Sequence, residues 1–118
     1  MAAADQSTRL IAELATLAWR LRRRFGDDLA VEAHERLRRA FRDVEAMIEL
    51  LREHTVEIQD HTGDAYDASL SLHVAAFQPT PGVSDERIVE TLKPTVYRGP
   101  ERIQTGEVIV AIPEREGR

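Results

Sequence analysis

The apolar pattern of this chain changes period once, at His54, and that change divides what the chain can become. Before His54, apolar residues recur at alternating steps of four and three. After it, they alternate with polar ones. The first spacing lays a stripe along a helix, and the second dresses one face of a strand.

Leu10, Leu14, Leu17 and Leu21 form the first seam, with Ile11, Ala18 and Phe25 beside it. Ser7 or Thr8 is placed to cap its start and Gly26 to close its end. The second seam is Leu37, Phe41, Val44, Ile48 and Leu51, flanked by Ala33, Ala40 and Met47, with Asp27 or Asp28 as its cap. The link Phe25-Gly26-Asp27-Asp28 is short enough to predict an antiparallel helical hairpin over residues 1–54. A hairpin alone leaves part of each seam facing water. The seam residues therefore predict homodimerisation into a four-helix bundle. The alternative is a hairpin packed on the chain's own second half.

Residues 55–118 read as a small all-β domain, a sandwich or barrel. Val56 and Ile58 mark one strand, and Leu70, Leu72 and Val74 another. Residues 78–86, with two prolines and a glycine, predict a loop. A strand through Ile88 and Leu92 breaks at Pro94, "RGPE" turns, and one closing strand carries Val108, Val110 and Ile112 to a stop at Pro113. The fold class expected is α+β.

Composition narrows the function. The chain has no cysteine, which removes disulfides, thiolate metal sites and cysteine nucleophiles. Residues 1–54 balance 10 Arg against 10 acidic residues, so the second half carries the whole net charge of −5. An acidic β-domain argues against nucleic acid, whose phosphates need clustered cations. No apolar run is long enough for a membrane helix and the first residues lack a leader's pattern, so a cytoplasmic protein is expected.

Four features could carry chemistry. "DHTGDAYD", residues 60–67, gathers Asp60, His61, Asp64 and Asp67 around Gly63. Its spacing is not that of an EF-hand, and Asp and Gly also cluster in turns because they bond and bend the local backbone. It is read as a bend joining the two halves, with no metal. The arginines at 20–24 read as cations near the end of a helix, where they oppose its dipole. His34, His54, His61 and His73 show no zinc spacing and no nucleophile motif to serve. Lys93, the only lysine, suggests a lipoyl-like carrier, but it stands in "TLKPTV" rather than D-K-A or M-K-M, and Pro94 forces an extended backbone where a carrier needs a tight tip.

The order of these pieces and several short motifs resemble GrpE, the nucleotide exchange factor family of DnaK-type chaperones. "VEIQDHTGDAYD", Val56 to Asp67, is similar to the family's entry into its β-domain, ending in an aromatic-Asp pair at Tyr66-Asp67. His73-Val74, the Pro81-Gly82 loop, "RIVETLKPTVY" and the closing "RIQTGEVIVAI", with Gly106 in a small-residue slot, follow in the family's order. The likeness spans residues 30–112. It departs at the family's Gly-Tyr, at its His-x-Ala, and in the long N-terminal helix, here far shorter.

The resemblance implies a non-enzymatic protein without cofactor, whose β-domain binds a DnaK-type ATPase and stabilises its open form. The partner-binding residues expected are Gln78, Pro81, Lys93, Tyr97, Arg98 and Arg102, exposed aromatic and cationic anchors on loops and an edge. The shortened helix also admits an adaptor or assembly subunit that keeps the fold without exchange activity.

Overall fold

The computed structural model describes residues 2–28 and 35–114, with side chains from 6–25 and 35–114. Two helices precede six strands, so the fold is α+β: α1 (Ala2–Asp28), α2 (Glu35–Glu53), β1 (Val56–Gln59), β2 (His73–Thr80), β3 (Arg87–Lys93), β4 (Thr95–Arg98), β5 (Glu101–Gln104) and β6 (Glu107–Pro113). The strands form two three-stranded sheets, ordered β1-β4-β5 and β2-β6-β3. The chain divides into two compact units. Unit 1 takes residues 1–58 and 96–103, and unit 2 takes 59–95 and 104–118.

Unit 1 is the helical hairpin with the first sheet. Phe25 meets Phe41 edge-to-face at 6.5 Å, while Ile11 and Leu51 share one cluster, which fixes α1 and α2 as antiparallel. α1 differs from expectation at both ends. It begins at Ala2, because the alanine run is the strongest helix former available, so Ser7 and Thr8 lie inside it. It also runs through Gly26 to Asp28, leaving no basic residue in its last turn, so Arg20 to Arg24 do not sit at the dipole's end. Arg23 instead stacks on Trp19, 5.2 Å from the ring centre. Asp27 and Asp28 therefore belong to α1 rather than capping α2, and Ala33 and His34 lie outside the described residues.

The core of unit 1 is Ala15, Val56 and Val96, with Ile11, Leu51, Ile58 and Ile103 against it. Val56 and Ile58 thus share a face, as their alternation predicts. The leucine seam of α1 behaves otherwise. Ala12, Ala15, Ala18 and Trp19 are buried, whereas Leu10, Leu14 and Leu17 are 66%, 51% and 58% exposed. The two sets point roughly 140° apart around the helix. Inward packing has gone to small residues, which let backbones approach, and the leucines face out. On α2, Val44 is buried, Phe41, Ile48 and Leu51 are half-buried, and Leu37 stays exposed near the helix start.

Unit 2 is built on β6, the central strand, whose "VIVAI" run suits a strand covered on both sides. β2 pairs with it in parallel and β3 antiparallel. Ile88, Val108 and Val110 are wholly buried, with Tyr66, Leu72, Val74 and Ile112 packed against them. Three expectations need correction here. The strand does not begin at Leu70, because Asp67 accepts the Ser69 N–H at 2.7 Å and its carbonyl takes the Leu70 N–H at 2.9 Å, folding that segment into a turn. Nor are residues 78–80 loop. Gln78, Pro79 and Thr80 continue β2, where Pro79 is tolerated because β2 is an edge strand with one free side. The turn begins at Pro81. The closing segment is likewise two strands, β5 and β6, in different sheets rather than one.

Candidate protein-binding surface

The expected contact residues fall into two groups. Tyr97, Arg98 and Arg102 share the β4–β5 hairpin of unit 1, which turns at Gly99 and Pro100 with Gly99 at φ +58°. Arg98 and Arg102 are exposed and Tyr97 is half-buried. The Gly99 N–H donates to the Thr55 carbonyl at 2.8 Å, tying the hairpin to the end of α2. Gln78, Pro81 and Lys93 belong to unit 2 and are exposed. Gln78 lies on the edge strand β2, Pro81 follows it, and Lys93 ends β3 opposite Glu107 of β6. Lys93 is thus held in a paired strand, not at the tip of a hairpin.

Beside Arg98 lies a cavity of about 420 Å3, lined by Ile11, Leu50, Leu51, His54 and Val56. It combines an apolar floor with a cation, the setting in which a partner's buried side chain gains most. Sequence reading found Arg98 but not this cavity. Its signal was Leu50, an apolar residue beside the seam of α2, 57% exposed. A second cleft in unit 1, about 680 Å3, mixes Arg22, Arg42 and Arg52 with Glu45, Glu49 and Glu57. Arg52 is already engaged by Glu49 at 2.7 Å, and that carboxylate raises its pKa.

The described histidines are engaged by their own surroundings. His54 Nδ1 bonds the Leu50 carbonyl at 3.1 Å at the end of α2, and His73 stands 3.9 Å from Glu107 on the surface. His61 is the one that resembles chemistry, since its Nε2 lies 2.7 Å from the Thr95 hydroxyl, the separation of a base from a nucleophile. Yet Thr95 is only 2% exposed and its Oγ1 also accepts the Gly106 N–H at 3.1 Å. The Thr95 hydroxyl is thereby tied to both the imidazole ring and the Gly106 backbone. No carboxylate orients the ring among the described residues. The Thr91 Oγ1 accepts both the His61 N–H, at 3.1 Å, and the Thr62 hydroxyl, at 2.9 Å. This is a knot of polar ties under the bend, with the Thr91 and Thr95 side chains buried.

The acids of the bend serve the backbone. Asp60 accepts the Thr62 N–H at 2.9 Å, and Asp67 accepts that of Ser69. Residues 63–66 then run along β3, with the Gly63 N–H on the Ile88 carbonyl at 2.8 Å and the Tyr66 N–H on Glu86 at 3.0 Å. Among the described residues no three His, Asp or Glu side chains converge as metal ligands. Gly63 has φ +94°, the left-handed geometry that a turn here requires. No helix among the described residues is long and apolar enough to cross a membrane. Compared with known proteins, the chain matches no protein-family model and none of the curated proteins.

Proposed function

We propose that this chain is a GrpE-like co-chaperone, a self-associating, non-enzymatic cytoplasmic protein that binds a DnaK-type ATPase and promotes nucleotide release. The observation that supports this reading most is the hairpin of β4 and β5. It presents Tyr97, Arg98 and Arg102 beside an apolar cavity, a surface suited to gripping a protein rather than to turning over a small molecule. The succession of two helices and six short strands, in the order the motif resemblance implies, supports it as well. Exchange by such a protein requires only tighter binding to the open partner than to the closed one, since differential affinity shifts the population.

The test is release of a labelled nucleotide from a DnaK-type ATPase on adding the chain. Acceleration is expected, and its loss in the variant combining Lys93→Ala, Tyr97→Ala, Arg98→Ala and Arg102→Ala would map the contact. Undiminished exchange by that variant discards the map. Binding without acceleration favours the rival reading, an adaptor or assembly subunit on the same fold. The carrier reading of Lys93 predicts a covalent mass increase on the chain from its native cells, and an unmodified mass rejects it.

A further inference from the structure

The outward leucines of α1 have a spacing, a flank and an end that together specify an occupant. Leu10, Leu14, Leu17 and Leu21 stand at steps of four, three and four, the a and d positions of a coiled-coil heptad, over about 17 Å of helix. All four are exposed. On one flank, Ile11, Ala18 and Phe25 are already engaged by their own unit: Ile11 in the core cluster, Ala18 buried, Phe25 against Phe41. The other flank carries Glu13 and Arg20, one heptad apart at g positions, and neither forms an ion pair among the described residues.

We propose that α1 pairs with α1 of a second copy, antiparallel, in the register that sets Leu10 against Leu21 and Leu14 against Leu17 of the other chain. In an antiparallel pair the g positions face one another. That register therefore sets Glu13 of each copy beside Arg20 of the other, two opposite-charge pairs related by the two-fold axis. It also places Arg24, the next d residue, opposite Ser7. A parallel pair in register does the opposite. It sets Arg24 against Arg24 in the seam and leaves Glu13 facing Ala18 and Arg20 facing Phe25. The like charges meeting there disfavour that arrangement, so the sequence carries an attraction for one orientation and a repulsion against the other. The proposal gives an orientation and a register to the self-association in the functional reading above, and it is tested apart from nucleotide release.

The experiment is sedimentation of the full chain with three variants, Glu13→Arg, Arg20→Glu and the two combined. Each single change is expected to weaken self-association roughly 10-fold, and the double change to restore it, because the exchanged charges meet again across the two-fold. All sites are on the helix surface, and unchanged circular dichroism separates lost pairing from lost folding. Because the chain has no native cysteine, orientation is read by cross-linking. Leu10→Cys mixed with Leu21→Cys is expected to form disulfide-linked dimers, and Leu10→Cys alone is not. Cross-linking of Leu10→Cys to itself overturns the antiparallel pairing, and a double charge variant as weak as the singles overturns the register. A chain that sediments as a monomer at every concentration overturns the surface itself. Nucleotide release measured on the same samples then stands or falls separately.

Discussion

The two units bury different things. Unit 1 closes over alanines and Trp19 of α1 together with Val44, Val56 and Val96, while Leu10, Leu14 and Leu17 stand in water; unit 2 closes over Ile88, Val108 and Val110, each fully inaccessible. The polar ties differ too. In unit 2, Thr91 and Thr95 are buried and bonded to the bend, through His61 and Thr62. In unit 1 the buried Thr16 hydroxyl bonds the Ala12 carbonyl of its own helix, at 2.8 Å. A core of large β-branched side chains with cross-linking hydroxyls fixes one packing. A helix that turns its alanines inward fixes close approach but keeps the larger apolar area of its leucines for something outside.

The largest expected effect tests that contrast directly. Ile88→Ala removes a wholly buried side chain beside Val108 and Val110 and is expected to cost about 3 kcal/mol. Leu17→Ala, on the outer face of α1, is expected to cost less than about 0.5 kcal/mol in the monomer and to act on self-association instead. Chemical denaturation at low protein concentration measures both. Equal losses would mean that the leucine face is part of the monomer's own core and would break the comparison.

Gly106 sharpens it from within unit 2. A Cβ at this position would stand 2.6 Å from Thr95 Oγ1 and 3.1 Å from the His61 ring, so one of the two must move. Gly106→Ala is expected to cost about 2 kcal/mol, the range of overpacking in a tight site. Much of that loss should disappear in a Thr95→Ala background, where the clashing oxygen is absent. A double-mutant cycle with no coupling would show that the polar knot does not set the packing there.

Thr55 tests unit 1 with the opposite sign. It follows α2 with φ +65°, a left-handed geometry in which a β-branched side chain is strained. Its carbonyl takes the Gly99 N–H, so the backbone is held there for the sake of the hairpin. Thr55→Gly relieves the side chain without touching that bond and is expected to raise the denaturation midpoint, by about 1 kcal/mol of stability. A drop would mean that the hydroxyl, which lies 2.6 Å from the His54 carbonyl, contributes more than the strain costs.

These contrasts also explain what could be read from the chain alone. The change of period at His54 gave helices before strands, and the alternation of Val56 with Ile58 and of Val108 with Val110 gave their inward faces, because those residues are buried as spaced. The leucine seam of α1 left open what covers it. A 4-3 spacing says that a helix has an apolar stripe and not which neighbour covers it, and here a second face of alanines had the closer fit. Pro79 misled because proline marks a loop only where its missing N–H is needed, and the free side of β2 does not need it. Of the site, single anchors such as Arg98 were legible as exposed cations. The cavity beside it was not, because Ile11, Leu50 and Val56 come from three elements that only the fold brings together.

The smallest expected effect concerns the bend itself and separates its acids from the buried ties beneath. The Ser69 backbone N–H, and then its side chain, bond the Asp67 carboxylate and hold its pKa below the usual aspartate value. A carboxyl whose pKa is depressed on folding contributes stability that is complete above the unfolded value, near 4, and fades as pH falls through the folded one. Wild type should therefore lose stability relative to Asp67→Ala as pH drops below about 4, and the two should run parallel above that. Because the group is exposed, water and salt weaken the effect, and it should shrink further at high ionic strength. If the difference persisted unchanged into acid, Asp67 would be shaping the turn through its size and not its charge. The bend would then be held by the hydroxyls of Thr91 and Thr95 and the pairing of residues 63–66 with β3, with the carboxylates incidental to it.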